Sequence, residues 1–304
     1  MYKKVCVTGG TGFLGKRLKI YQPDWVYVSS QDYDLTNPYY VRGMFYDIKP
    51  DAVIHLAAKV GGIKDNAEKQ EEYFYKNTMI NTNVVRCAVE SEVPRLLASL
   101  STCAFPDILE NYPYTEKDFF NGPPAETNFS YGYSKRMLHV QCIASRKQHG
   151  LNYSTFCPSN IYGPGDHFDS SNSHFIAALI SKIAKLNPKD QLELWGTGTP
   201  LRQQLYVDDL CEIIPLLLVN HNNAVPVIVA PDENLSINDL ALTLISQLPK
   251  NIEILYNNQM DGQFRKDGSN KKLKEIIGNY NFTKFEDGIL KTYKDYEKNL
   301  DKCL

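Results

Sequence analysis

The sequence predicts an α/β chain, a doubly wound parallel sheet followed by a smaller mixed α/β lobe. Three observations predict it. Short β-rich runs alternate with helical stretches through the first half; a glycine-rich turn closes the first run; and the pattern changes after Gly163-Pro-Gly165. Strands that alternate with helices are covered on both faces, which is the setting of a parallel sheet.

The elements follow in order. Residues 4–8 read as a strand ending in Gly9-Gly-Thr11-Gly12-Phe13-Leu14-Gly15, and residues 16–21 as a helix. Residues 25–29 and 52–56 are further strands, with a helix over 38–48 between them. A long helix over 73–91 leads to a strand at 95–100, and a helix over 129–149 to a strand at 153–157. Past Gly165 come a helix over 174–186, a strand at 192–195 and a helix over 207–219. Residues 224–229 are expected to return to the parallel sheet, and the Lys-, Tyr- and Asn-rich tail from Lys271 onward reads as surface helix.

Composition narrows the function. At 304 residues and 43% apolar content the chain can bury a large core without staples. The 33 basic and 35 acidic residues are well mixed, so there is no basic footprint for nucleic acid. Seven cysteines (Cys6, Cys87, Cys103, Cys142, Cys157, Cys211 and Cys303) form an odd set without close pairs. That fits neither a disulfide framework nor a zinc site, and a reducing cytoplasm is the expected setting. The N-terminus runs straight into a strand with no apolar leader, and no stretch is long and apolar enough to span a bilayer.

Gly9, Gly12 and Gly15 give G-x-x-G-x-x-G between a strand and a helix. Glycines there allow a tight turn and close approach of backbone amides to a pyrophosphate, with the helix N-terminus facing the anion. Such a triplet alone is a weak signal, being also a plain tight turn. Its position after the first strand, with more βα units behind it, points to a nicotinamide dinucleotide. At the end of the second strand an acidic residue would bind the adenosine ribose hydroxyls. Here that place reads Ser29-Ser30, and no carboxylate comes before Asp32 and Asp34. Small hydroxyls leave room for a 2′-phosphate, so NADP is favoured, with Lys16 or Arg17 as cations to neutralise it. Residues 1–163, with 204–231 returning to them, are expected to form the dinucleotide-binding domain, and 164–203 with 232–304 the substrate lobe.

Tyr131 and Lys135 stand four residues apart, on one face of a helix, where an ammonium can act on a phenol. A free tyrosine keeps its proton to about pH 10, so an adjacent cation is expected to bring it towards neutrality. Ser101, at the end of a parallel strand, is placed to hydrogen-bond the same carbonyl oxygen. Y-x-x-x-K occurs by chance in many helices. Joined to the glycine loop and the Ser/Thr strand end, it points to redox chemistry at a carbonyl carbon.

These residues carry a close resemblance. The chain resembles the extended short-chain dehydrogenase/reductase family, and within it the subfamily that acts on GDP-linked 4-keto-6-deoxy sugars. The matching segments include Val7-Thr-Gly-Gly-Thr-Gly-Phe-Leu-Gly15, Asp34-Leu-Thr36, His55-Leu-Ala-Ala-Lys-Val-Gly-Gly-Ile63, Ser101-Thr-Cys-Ala-Phe-Pro106 and Asn128-Phe-Ser-Tyr-Gly-Tyr-Ser-Lys135. Pro158-Ser-Asn-Ile-Tyr-Gly-Pro164, Asn172-Ser-His174, Trp195-Gly-Thr-Gly-Thr-Pro-Leu-Arg202 and Asp261-Gly-Gln-Phe264 continue them, in order over nearly the whole chain.

The resemblance implies roles that spacing does not. It implies NADPH as cofactor, held by Gly9, Thr11, Gly12, Phe13, Leu14, Gly15, Ser29, Ser30, Asp34, Leu35, Leu56, Ala57, Ala58, Asn77, Leu100, Tyr131, Lys135, Pro158, Asn160 and Ile161. It implies Cys103 and His174 as base and acid for inversion at carbons 3 and 5, before hydride reaches carbon 4 and Tyr131 protonates the oxygen. It implies Ser101, Cys103, Asn160, His174, Lys182, Trp195, Arg202 and Asp261 around the GDP-linked substrate, with Lys266 in a closing loop. It implies a homodimer through the helices over 73–91 and 129–149, and no metal. By spacing alone, Cys103 would be packed core, His174 a structural donor and Trp195 a core aromatic. Departures from the common pattern are Ser159 for threonine, Phe105 for tyrosine, His167 for asparagine and Ala177 for proline.

Other readings stay open on the residues. Relatives acting on GDP-4-keto sugars, heptoses included, are in some cases reductases only. A 4,6-dehydratase needs an acidic pair after the strand-end Ser/Thr, where this chain has Cys103-Ala104. A 4-epimerase would return its hydride and consume no cofactor. A non-catalytic dinucleotide sensor would have no use for Ser101, Tyr131 and Lys135 together.

Overall fold

A computed structural model describes residues 2–168, 173–257, 261 and 263–300, without the side chains of 63, 64 and 300. Asn172, Gly262 and Cys303 lie outside the described residues.

The first half alternates as β1 (Val5–Thr8), α1 (Phe13–Tyr21), β2 (Val26–Val28), α2 (Pro38–Ile48), β3 (Ala52–His55), α3 (Ile63–Glu68), α4 (Gln70–Glu90), β4 (Arg95–Ser99), α5 (Phe129–His149) and β5 (Asn152–Pro158). Then come β6 (Asn160–Tyr162), α6 (Phe175–Ala184), β7 (Gln191–Leu194), β8 (Leu201–Arg202), β9 (Gln204–Tyr206), α7 (Val207–Asn220) and β10 (Val227–Val229). The chain closes with β11 (Leu235–Ser236), α8 (Ile237–Ser246), β12 (Glu253–Tyr256), α9 (Lys271–Ile277) and α10 (Phe285–Leu300).

Six strands form one sheet in the order β10-β5-β4-β3-β1-β2. Every neighbour pair in it is parallel. Successive strand residues point to opposite faces, and the core divides accordingly. Cys6, Val53 and Leu96 pack with Met44, Phe45, Val84 and Leu138, while Val7, Ile54 and Leu97 pack with Leu18, Ile213 and Leu217. The chain runs from β1 through α1 to β2 at one edge, then crosses back to place β3 on the other side of β1. Ligands bind outside the carboxyl ends of strands at such a switch point. The loops after Thr8, His55, Ser99 and Pro158 all open there.

Local chemistry explains the element ends that sequence reading placed well. Asn37 accepts from the Tyr39 amide at 2.9 Å with Pro38 opening the helix, so α2 starts where the pattern says. Gly150 takes φ 68° and stops α5 after His149. Residues 227–229 do return to the sheet, on β5.

The tail is different from expectation. It is two helices, and α10 is not simply a surface helix: Phe285, Ile289, Tyr293 and Tyr296 turn inward onto Tyr162, Ile180 and Leu240. Their spacing is helical, but lysines on the outer face dilute the apolar signal. This third cluster is the core of the lobe beside the sheet, around β7, α6 and α8.

Candidate active site

The glycine loop fits a dinucleotide. Gly9 sits at φ 76°, the Gly10 amide donates to Val28 O at 2.8 Å, and the Gly12 amide donates to Gly9 O at 3.0 Å. A Cβ on Gly15 would stand 2.2 Å from Gly9 O, so only glycine lets α1 press against the turn. No side chain caps α1 at Gly12. Its first-turn amides, from Phe13 and Leu14 onward, are therefore available to an anion lying against exposed Thr11 and Gly12.

Two expectations about the ribose end need correction. Arg17 is not available for a 2′-phosphate, because its guanidinium is bound bidentately to Asp208 at the start of α7. And a carboxylate does reach the end of β2: Asp32 Oδ2 turns back to accept from the Ser29 amide at 2.8 Å and its hydroxyl at 2.7 Å. Those two donors hold Asp32 below the usual carboxylate range. Ser29 is thus buried under Asp32, while Ser30 stays exposed. Asp34 caps its own turn through Thr36, and Leu35 is buried, its carbonyl held by Asn83.

After β3, Leu56, Ala57 and Ala58 run half-buried past the glycine loop. Asn77 is fully buried and spends its amide on this segment: Oδ1 accepts from the Lys59 amide at 2.9 Å and Nδ2 donates to Lys59 O at 3.0 Å. It shapes the loop from behind rather than presenting a free group to a cofactor.

A buried network missed by sequence reading joins this region to α5. Thr8 Oγ1 donates to His55 Nδ1 at 2.7 Å, and His55 Nε2 donates to Asn81 Oδ1 at 3.0 Å. Asn81 Nδ2 then reaches Ser134 O in α5 at 3.3 Å, and Thr8 Oγ1 accepts from the Ala57 amide. Burial, helped by the Lys135 charge, pulls the His55 imidazole down to about 3, so the ring stays neutral and keeps these directions. A histidine inside a strand and an asparagine inside a helix give no local signal of meeting.

The expected catalytic residues converge. Lys135 is buried and its Nζ donates to Ser99 O at 3.0 Å, lying 5.9 Å from the centre of the Tyr131 ring. The Tyr131 hydroxyl lies near Ser101, whose Oγ accepts from the Cys103 amide at 3.2 Å. Leu100, buried between them, bonds Phe156 O and fixes the strand end. Gly132 makes the approach possible, since a Cβ there would meet Cys103 O at 2.5 Å. The direction of the tyrosine's acidity differs from expectation. Burial and the nearby Cys103 thiol raise its pKa, and Ser101 opposes them only in part. Burial also takes Lys135 down to about 8. The resting site therefore holds a neutral phenol beside a lysine that is still cationic at neutral pH.

Cys103 is not core: it is half-buried, and Lys266 Nζ stands 3.4 Å from its Sγ. His174 ends up on the other lobe, at the start of α6, with its side chain 54% exposed. Its Nδ1 lies 3.5 Å from Asp166 Oδ1, and that carboxylate is almost wholly buried. The Asp166 bond raises the His174 pKa above that of free imidazole, keeping it protonated to higher pH. Asp166→Asn keeps the shape and removes the charge, so the His174 titration midpoint followed by NMR should move to lower pH. A midpoint that stays put would mean Asp166 does not set the charge of this histidine.

Pro158, Asn160 and Ile161 pass from β5 into β6 at the crevice, Asn160 half-buried and in register with Gln204. On the lobe, Trp195 is 76% exposed, which rules out a core role. Beside it Asp261 accepts from the Thr197 amide and hydroxyl at 2.8 and 2.7 Å, and a Cβ on Gly196 would strike the Asp261 carboxylate. Arg202 is half-buried, its pKa lowered by burial and opposed by Asp261. Lys182 donates to Glu193 O on the same lobe. Trp195, Arg202 and Asp261 make an open, polar and aromatic rim. Lys266 is not over this rim, as expected of a closing loop, but at the thiol.

Known proteins resemble this chain over nearly its whole length. A GDP-L-fucose synthase of Dictyostelium discoideum is 37% identical over 299 residues, covering 94% of this chain and 93% of its own length. A probable GDP-L-fucose synthase of Drosophila melanogaster is 36% identical over 319 residues, covering 99% of each. The crystal structure of a GDP-L-fucose synthetase from Naegleria fowleri bound to NADP has a TM-score of 0.87 at 28% identity, covering 98% of this chain and 93% of that one. The model of the NAD dependent epimerase/dehydratase family matches residues 5–230. That match runs from the first strand of the sheet to its last and encloses the glycine loop and the Ser101/Tyr131/Lys135 cluster, so the chain belongs to the NAD dependent epimerase/dehydratase family, among the extended short-chain dehydrogenases/reductases.

Proposed function

We propose that this chain is an NADPH-dependent 4-reductase of a GDP-linked 4-keto-6-deoxy sugar that first inverts carbons 3 and 5 through Cys103 and His174. One observation carries the reading: a half-buried thiol, Cys103, stands beside the Ser101/Tyr131 pair that would hold a ketone oxygen. The curated relatives are named for GDP-L-fucose, and the Naegleria structure holds NADP; both support the choice of substrate and cofactor.

When bound against the glycine loop, the reduced nicotinamide supplies a hydride for carbon 4. The chain's own residues do the rest. Ser101 and Tyr131 donate to the sugar's ketone oxygen, which polarises the carbonyl and acidifies the neighbouring C–H bonds. The Cys103 thiolate takes such a proton: the S–H bond forms, the C–H bond breaks and its electron pair moves onto the ketone oxygen. Protonated His174 returns a proton to carbon from the other side. In the final step Tyr131 gives its proton to the oxygen at carbon 4, and Lys135, anchored on Ser99 O, stabilises the phenolate left behind. Trp195 and Arg202 would take the nucleotide and its diphosphate on the lobe rim.

The exposed apolar side chains Phe120, Met137 and Val140, on and beside α5, support a homodimer formed through α4 and α5. Incubation with NADPH and the GDP-linked 4-keto-6-deoxy hexose in heavy water tests the chemistry. Deuterium at carbons 3 and 5 with inverted product stereochemistry is expected. Reduction without incorporation would strike out the epimerase half, and no cofactor oxidation by the folded chain would strike out the reductase.

A further inference from the structure

Lys266 has no part in the chemistry above, yet the segment that carries it is firmly braced. Tyr114 runs beside its segment as a short ladder: the Tyr114 amide donates to Asp267 O at 3.0 Å, and the Ser269 amide donates to Tyr114 O at 2.7 Å. Arg265 binds Asp267 through two bonds of 2.8 and 2.6 Å, and its guanidinium lies 5.1 Å from the centre of the Tyr112 ring. The Gly268 amide is held by Gln203 Oε1 at 2.8 Å, and a Cβ on Gly268 would stand 2.7 Å from the Tyr114 ring. In an extended segment alternate side chains point opposite ways. Arg265 and Asp267 satisfy each other on one side, which turns Lys266 to the other, with its Nζ 3.4 Å from Cys103 Sγ.

The groups around this thiol are Lys266, Tyr131, Tyr114 and Cys157. Burial raises the last three, so each is neutral at neutral pH, and Lys266 is the cation among them. A thiol beside an ammonium ionises more readily, and the thiolate is the form that can act as base.

We propose that Lys266 is a positioning residue for proton abstraction, its ammonium donating to Cys103 Sγ and countering the negative charge of the thiolate that removes the hydrogen alpha to the ketone. This rests on the reading that Cys103 faces the sugar. As the proton moves to sulfur, the negative charge passes from the thiolate to the ketone oxygen, where Ser101 and Tyr131 receive it, and Lys266 is left beside a neutral thiol.

The test is the rate at which iodoacetamide alkylates Cys103 at neutral pH, read on the Cys103 peptide by mass spectrometry. Lys266→Met should slow it about tenfold and Lys266→Arg should restore most of it. A methionine variant with a native melting curve and the wild-type alkylation rate would overturn the proposal. The wild-type chain gives a second test that needs no variant. Iodoacetate, itself an anion, should gain on iodoacetamide several-fold at Cys103 relative to free cysteine, and a ratio equal to that of free cysteine would overturn the proposal. Alkylation needs neither sugar nor cofactor, so it can fail while deuterium exchange at carbons 3 and 5 succeeds, or the reverse.

Discussion

Tyr131→Phe should still bind NADPH but reduce the keto sugar about 10²–10⁴-fold more slowly, the usual contribution of a positioned general acid. The change removes one hydroxyl and leaves the ring that packs beside Lys135. What is lost is the proton for the oxygen at carbon 4 and one of the two donors that polarise the ketone. Water is a poor substitute, because it is not held in place as the half-buried phenol is beside Ser101 and Cys103. The neutral resting phenol suits this role, since burial keeps the proton on oxygen until charge develops on the substrate. Lys135, near 8 and cationic at neutral pH, then stabilises the phenolate as it forms. Cofactor oxidation followed by absorbance, with binding followed by fluorescence, checks both halves. A variant that turns over at the wild-type rate would remove Tyr131 from the chemistry.

Arg95→Met should cost about 3–5 kcal/mol of stability, because it removes several buried hydrogen bonds from one charged group at once. Arg95 opens β4 yet is only 1% exposed. Its Nε donates to Leu218 O at 2.9 Å, and Nη2 donates to Leu217 O at 3.1 Å and His221 O at 3.2 Å. Nη1 serves Leu96 O, Asn152 O and Ser154 Oγ at 2.7, 3.0 and 2.7 Å. One guanidinium thus donates to three carbonyls at the end of α7, where the helix dipole is negative, and clamps α7 to β4 and β5. Burial lowers its pKa to about 10, so it remains charged at neutral pH. Methionine has similar length but donates no hydrogen bond, so every one of these contacts is lost in a dry site. A fall in melting temperature of roughly 10 °C is expected for a chain of this size. A shift within a degree or two would mean water replaces the guanidinium.

The sheet was readable because its signal is local. Each strand is a short apolar run between turn residues, and α2 and α5 begin and end on residues whose chemistry stops a helix, Pro38 and Gly150 among them. The Tyr131/Lys135 juxtaposition is local too, since the two stand one helical turn apart. What stayed hidden depends on distant partners. The inner face of α10 is apolar at Phe285, Ile289, Tyr293 and Tyr296, but Lys291, Lys294 and Lys298 mask it in the sequence. Thr8, His55 and Asn81 meet only because β1, β3 and α4 do. Asp32 lies past the end of β2 in the sequence, and a turn of three residues brings its carboxylate back onto Ser29. Lys266 is 163 residues from the thiol it touches, and no spacing rule spans that gap.

Transfer of label from the cofactor bears on all of this most directly. NADPH carrying deuterium at carbon 4 of its nicotinamide is incubated with the GDP-linked 4-keto-6-deoxy sugar in light water, and the product is mapped by NMR. One deuterium at carbon 4 of the sugar, absent when Tyr131→Phe replaces the wild type over the same interval, is the predicted result. Product that carries no label from either face of the deuterated nicotinamide, or equal labelling by the phenylalanine variant, would contradict the account.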